Sequence, residues 1–178
     1  MIRAIIGTVS VLAGFAVVEQ SVDASTGLAG SCRATQAYAL LQAGEPLVVR
    51  ATPAPDGAVI GALTSLDNRE VSRSVVTLIG SQSGWAHIAL GGANYTSASP
   101  RQTGWIPADE LAVDTRLDKT VRIYNRPGLL GYEMGKIESQ DMQFRVLGCR
   151  GTWLQVINAE KGNVWIDRWC AKEEGCRS

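Results

Sequence analysis

The chain has little of what active sites are usually assembled from. Its 178 residues include one histidine and two phenylalanines, and aromatic residues make up only 6%. With His87 alone, a histidine-rich metal site cannot form, and a Ser-His-Asp arrangement would have to draw on that one residue. No Gly-x-Ser-x-Gly elbow leads into a helix. There is no glycine-rich phosphate loop and no Cys-x-x-Cys pair. Lysine and arginine never form a run, and 17 basic residues balance 17 acidic ones, so the electrostatic footprint of a nucleic-acid binder is missing. The adjacent carboxylates Asp109-Glu110 and Glu173-Glu174 would point to opposite faces of a strand, which is poor geometry for a shared acid and base. Both pairs are read as solvated surface. These absences argue against an enzyme and imply no cofactor.

The N-terminus follows the grammar of an export signal. Met1-Ile2-Arg3 is a short basic start, residues 4–18 are apolar, residues 19–23 are polar, and Val22-Asp23-Ala24 fits a small-residue cleavage site before Ser25. About 15 apolar residues fall short of the roughly 20 that span a bilayer. Residues 1–24 are therefore expected to be a cleaved signal peptide, with an uncleaved anchor as the alternative. No stable membrane span is expected after cleavage, and the localisation implied is periplasmic or secreted. The mature chain would carry 16 basic and 15 acidic residues, because Arg3, Glu19 and Asp23 leave with the signal.

What is present is a text written twice. Val49-Arg50 opens a block continuing through Ile60-Gly61-Ala62-Leu63, a β-rich run at residues 75–80, Gly84-Trp85-Ala86-His87-Ile88 and Gly104-Trp105-Ile106. Val121-Arg122 opens a second, with Met134-Gly135-Lys136-Ile137, a run at residues 143–148, Trp153-Leu154-Gln155-Val156 and Val164-Trp165-Ile166. The tryptophans Trp85 and Trp153 lie 68 positions apart, and Arg50 and Arg122 lie 72 apart. A repeat of that length is one small domain duplicated rather than a solenoid unit. Short alternating runs broken by turn residues, with hardly any helical period, predict an all-β fold of strands in barrels or sandwiches. Residues 35–42 are read as a short helical turn that Gly44 ends. Residues 67–74 and 91–103 are polar inserts expected at loop tips, and residues 114–119 the junction between the halves. The tryptophans are read as core or half-core, and His87, on the same face as Trp85, as a structural histidine.

Cys32, Cys149, Cys170 and Cys176 form an even set in a chain read as exported, which predicts two disulfides. Four cysteines allow three pairings. The expectation leans to Cys149 with Cys170 or Cys176, all within the second block, leaving Cys32 to the remaining tail cysteine.

Val-Arg, a proline turn, hydrophobic-Gly-x-hydrophobic, a β run, a glycine-led Trp and a final Trp-Ile, in that order and twice, resemble the bacterial SH3-like domain, with Gly151-Thr152-Trp153 where the first block has Gly84-Trp85 and Asn163-Val164-Trp165 in place of a clean Gly-Trp. The match covers residues 46–113 well and 118–170 more loosely. The resemblance implies two tandem small SH3-like β-barrels, a first over 46–115 and a second over 116–178 with a disulfide-tied tail, after a lead-in at 25–45. It also implies a binding module for cell-wall peptide or glycan, or for an envelope protein. An accessory subunit of an envelope assembly is the alternative. The aromatic segment with which eukaryotic relatives grip polyproline is absent. Candidate ligand contacts are Tyr124, Arg126 and Tyr132, beside the turn after the second Val-Arg, together with Tyr95 on the long insert and Trp169 near the tail.

Overall fold

A computed structural model describes residues 30–65, 70–90, 95–97, 103–115, 120–138, 142–158 and 160–172. The expected signal peptide, Cys176, Glu173-Glu174 and most of the polar insert 91–103 lie outside these. The fold is all-β, with strands β1 Gly30–Gln42, β2 Leu47–Arg50, β3 Val59–Leu63, β4 Val71–Gln82, β5 Trp85–Ala89, β6 Tyr95–Ser97 and β7 Thr103–Pro107. A single 3-10 turn, Ala108–Glu110, leads into β8 Leu111–Asp114. Then follow β9 Val121–Tyr124, β10 Glu133–Ile137, β11 Gln143–Arg150, β12 Trp153–Asn158 and β13 Gly162–Ile166. The strands pair antiparallel in one 13-stranded sheet, in the order β10-β9-β13-β12-β11-β8-β1-β4-β5-β7-β2-β3-β6.

That order contains the duplication. From the middle outward, the first half runs β1-β4-β5-β7-β2-β3 and the second runs β8-β11-β12-β13-β9-β10. Each strand of one half has its counterpart at the same place in the other, except β6, which lies beyond β3 and has none beyond β10 among the described residues. Irregularities repeat too: the β4–β5 ladder slips between Leu78 and Gly80, and the β11–β12 ladder between Val146 and Gly148. Alternation sets the faces, with Leu154 and Val156 buried on β12 while Trp153, Gln155 and Ile157 face the other way.

Three expectations are corrected. Residues 35–42 are not helical but belong to β1. Alanine, leucine and glutamine favour helix, yet Ala37, Ala39 and Leu41 alternate, are buried, and sit in a ladder running from Thr35 opposite Leu78 to Gln42 opposite Val71. The segment read as a lead-in is thus the innermost strand of the first half. The polar stretch 67–74 is not all loop, because Val71–Ser74 open β4. Finally, the two Val-Arg pairs are not equivalent. Leu47, Val49 and Arg50 pair with Leu63, Gly61 and Val59, whereas Val121, Ile123 and Tyr124 pair with Ile137, Gly135 and Glu133. The true offset is 74, so Arg50 matches Tyr124 and Val48 matches Arg122. A one-residue slip would have turned every side chain over; a slip of two keeps the pattern and hides the error.

The halves join through β1, β4, β8 and β11. Tyr38 on β1 is fully buried there. Its hydroxyl donates to Asp114 Oδ1, Gln143 Nε2 donates to that hydroxyl at 3.0 Å, and Arg73 Nη1 pairs with Asp114 Oδ2. The Arg73 guanidinium also lies 4.5 Å over the Tyr38 ring. Burial, and then the Asp114 carboxylate, push the Tyr38 hydroxyl's pKa well above its ordinary value. The four residues come from four strands, and a buried charge so paired is held rather than reactive.

The disulfide expectation is also corrected. Cys32 is bonded to Cys149, with Cα atoms 5.6 Å apart across a separation of 117 residues. Between Ser31 and Thr35 the β1 strand bulges away from β4. There Arg33 N donates to Gly151 O and Gly151 N to Ser31 O, both at 2.8 Å. That bulge carries Cys32 onto the end of β11. The bond therefore staples the two halves rather than tying a tail to its own domain. Cys170 is disulfide-bonded as well.

Candidate functional site

A concavity with largely apolar walls belongs to the second half. It forms between the loop at residues 125–132, which joins β9 to β10, and the outward face of β12 and β13. Arg126, Leu129, Leu130, Arg150, Trp153 and Trp165 are among its lining residues, around a volume of about 740 Å³.

The loop's shape comes from its backbone. Asn125 N donates to Tyr132 O at 3.3 Å, and Gly131 N to Gly128 O at 3.0 Å. Gly128 has φ +84, a left-handed conformation that glycine adopts without steric cost. The Asn125 side chain accepts from Tyr132 N at 2.9 Å, and Arg126 Nε donates to Leu130 O at 2.6 Å, anchoring its side chain to the loop. So braced, the loop holds two leucines in water: Leu129 is fully exposed and Leu130 is 77% exposed. A leucine side chain out of contact forgoes roughly 1.5–3 kcal/mol of burial. A braced loop that offers two of them side by side is arranged to meet something apolar.

The opposite wall is aromatic. Trp153 is half-buried, and the ring of Tyr124 meets it edge-on, with centroids 5.1 Å apart. Trp165, on the neighbouring strand opposite Gln155, is 4% exposed. Arg150 projects from the end of β11, so the cleft pairs apolar surface with cations at its edges. Flat aromatic walls and arginine suit an extended chain carrying methyl groups and a carboxylate.

Of the sequence candidates, Arg126 lines the cleft and Tyr124 supports it through Trp153. Tyr124 also faces a second, polar concavity of about 480 Å³ with Arg122, Lys136 and Arg168. Tyr132 ends the loop and is 63% exposed. The other two lie elsewhere. Tyr95 is on β6 at the far end of the sheet, its hydroxyl donating to Ile60 O at 3.4 Å. Trp169 donates from Nε1 to Gln36 O on β1 at 2.8 Å, against the core. Leu129, Leu130 and Arg150 were not singled out by sequence. A signal existed, since a Leu-Leu pair between Pro127-Gly128 and Gly131 is apolar text inside a turn. His87 stacks on Trp105 at 4.4 Å, and burial lowers its pKa.

Among the described residues no group of three or more His, Cys, Asp or Glu is placed to hold a metal ion, and no helix is long and apolar enough to cross a membrane. Comparison of the chain with protein-family models, curated proteins and solved structures finds no match.

Proposed function

We propose that this protein is an exported, non-enzymatic binding module, a pair of SH3-like barrels of which the second recognises peptide of the bacterial cell wall. Support for the duplicated barrel is the strand order repeated in both halves. A disulfide stapling those halves suits a periplasmic or secreted setting. The observation that carries the binding reading is the braced Leu129-Leu130 loop facing Trp153 and Trp165, flanked by Arg126 and Arg150. A wall stem peptide offers what this cleft would select: an extended backbone, small methyl side chains and a carboxylate. Its alkyl groups would lie against the leucines and tryptophans, and its carboxylate would meet an arginine.

The test is retention of the oxidised chain from residue 25 onward by insoluble peptidoglycan, against a Leu129→Asp/Leu130→Asp variant and an Arg126→Ala variant. Retention that both variants weaken supports the reading. Absence of retention, or retention indifferent to the leucines and Arg126, overturns it and sends the search to envelope proteins.

A further inference from the structure

We propose that the outer edge of β10 is a strand-accepting site, which takes an extended segment of a partner polypeptide in the register that β6 occupies on β3, with an aromatic side chain laid over Gly135. It does not depend on the cell-wall reading and uses a different surface.

The molecule carries its own template. In the first half β3 is not an edge, because β6 pairs along it: Leu63 faces Tyr95, Ala62 faces Thr96 and Gly61 faces Ser97. That strand comes from the connection between β5 and β7. In the second half β12 passes to β13 through a tight turn, where Asn158 Oδ1 accepts from Glu160 N and Lys161 N at 3.0 and 2.9 Å. Equivalent residues shift from an offset of 68 at Trp85/Trp153 to 60 at Trp105/Trp165, so the second half is eight residues shorter here. Among the described residues no strand pairs with the outer side of β10, which is the last strand of the sheet.

The glycines sharpen the match. Gly61 and Gly135 are equivalents beside a ladder irregularity in each half, and neither has a positive φ, so a left-handed backbone does not require them. Gly61 is explained by close approach: a Cβ there would meet Thr96 O at 2.5 Å, the Tyr95 hydroxyl at 2.6 Å and its ring at 2.7 Å. At Gly135 a Cβ would meet, among the described residues, only Ile123, at 3.5 and 3.6 Å. The notch that receives Tyr95 in the first half is thus uncovered by the described residues of the second, and besides marking a bulge a strand glycine can mark where another chain comes close. Strand addition to such an edge draws affinity from main-chain hydrogen bonds and specificity from alternate side chains.

Charge refines the partner. Where the first half has Val48 and Ala62 opposite each other, the second has Arg122 and Lys136. Glu133 reaches both, at 3.5 and 3.8 Å, and Arg168 lines the concavity beside them with Glu138 and Asp167. An acidic residue in the place of Thr96 would lie across from Lys136. The preferred segment therefore reads aromatic, acidic, small, running antiparallel to β10.

The experiment is a titration of the full oxidised chain with three heptapeptides, read by amide exchange and NMR shifts of residues 133–137. One copies residues 93–99, one carries glutamate for its threonine, and one carries alanine for its tyrosine. The expected result is protection confined to β10, tightened by glutamate by up to about fivefold and weakened at least about fivefold by loss of the ring. Gly135→Leu, which has room to fold, should abolish it and leave wall retention unchanged. Unaltered β10 amides at millimolar peptide would overturn the proposal, with Lys136 and the bulge at Met134 then acting to repel strands. So would concentration-dependent self-pairing of β10 that excludes the peptides.

Discussion

Residues 51–58 and 125–132 turn the chain between equivalent strands, and they do it alike. Ala51 N donates to Ala58 O and Gly57 N to Ala54 O, matching Asn125 with Tyr132 and Gly131 with Gly128 in the second half. The braces differ in origin, Arg50 Nη1 to Gly57 O in one and Arg126 Nε to Leu130 O in the other. What separates them is decoration. The first loop carries Thr52, Pro55 and Asp56 where the second carries Arg126, Leu129 and Leu130. One scaffold occurs twice, and the second copy carries the exposed Leu129-Leu130 pair; that difference is what the proposed site rests on. The edges reverse the contrast, since β3 of the first half is paired by β6 while no strand among the described residues pairs with the outer side of β10.

The comparison requires that the halves form one body, and the harshest way to break it is at the staple. Replacing Cys32 and Cys149 by serine removes a cross-link closing a loop of over a hundred residues. The chain-entropy model values that at about 5 kcal/mol, and removal of native disulfides commonly costs about 2–5 kcal/mol. We expect urea unfolding to register a loss in that range, with the halves then free to melt separately. A loss below about 1 kcal/mol would mean that β1, β4, β8 and β11 hold the halves without it.

The buried polar junction is the next largest. Tyr38→Phe deletes a hydroxyl that donates to Asp114 and accepts from Gln143, and should cost about 1–3 kcal/mol near neutral pH. Its pH dependence has a definite sign. The folded-state pKa is raised by burial and by Asp114, so the contribution is complete below the ordinary tyrosine pKa of about 10. It is lost as pH rises above that value, because the unfolded chain ionises first. The gap between wild type and variant in urea should therefore narrow between pH 9 and 11.5. A gap that stayed constant would remove the hydroxyl's link to Asp114.

Much of this was legible in sequence and some of it could not be. The all-β pattern was visible because side chains alternate at period two in short runs, and a tryptophan shortly after a glycine opens the corresponding run in each half, at Trp85 and Trp153. Tyr124 and Arg126, singled out in sequence, stand at the start of the loop on which the proposed site rests. The strand β1 was hidden because Ala37, Leu40 and Leu41 favour helix locally, and only the long ladder with β4 overrides that. The contacting pairs among Tyr38, Arg73, Asp114 and Gln143 are 35 to 105 residues apart in sequence, so no local motif announces them. The Cys32–Cys149 bond depends on a bulge that no single-strand pattern marks.

The decorated loop gives a more selective test. Leu129→Asp with Leu130→Asp should leave stability within about 0.5 kcal/mol, because both side chains are already in water. Wall retention should fall about tenfold or more, some 1.4 kcal/mol. The converse substitutions Thr52→Arg, Pro55→Leu and Asp56→Leu carry the dressing to the first loop and should raise the amount retained. A graft that folds and adds nothing would mean that the floor, not the loop, decides.

That floor differs also at His87, whose counterpart is Gln155, and here the smallest effect is expected. His87 lies on the Trp105 ring, and burial lowers its pKa. The unfolded chain therefore takes up the proton first. Stability contributed by the neutral ring is present above the ordinary histidine pKa of about 6.5 and is lost as pH falls below it. His87→Gln gives the first half the second half's residue and removes that titration. Between pH 7.5 and 5.0 the urea midpoint of wild type should drop slightly more than that of the variant. Equal drops would mean that Trp105 stacks equally well on the protonated ring, with cation–π attraction offsetting desolvation. The two floors would then differ in shape but not in electrostatics.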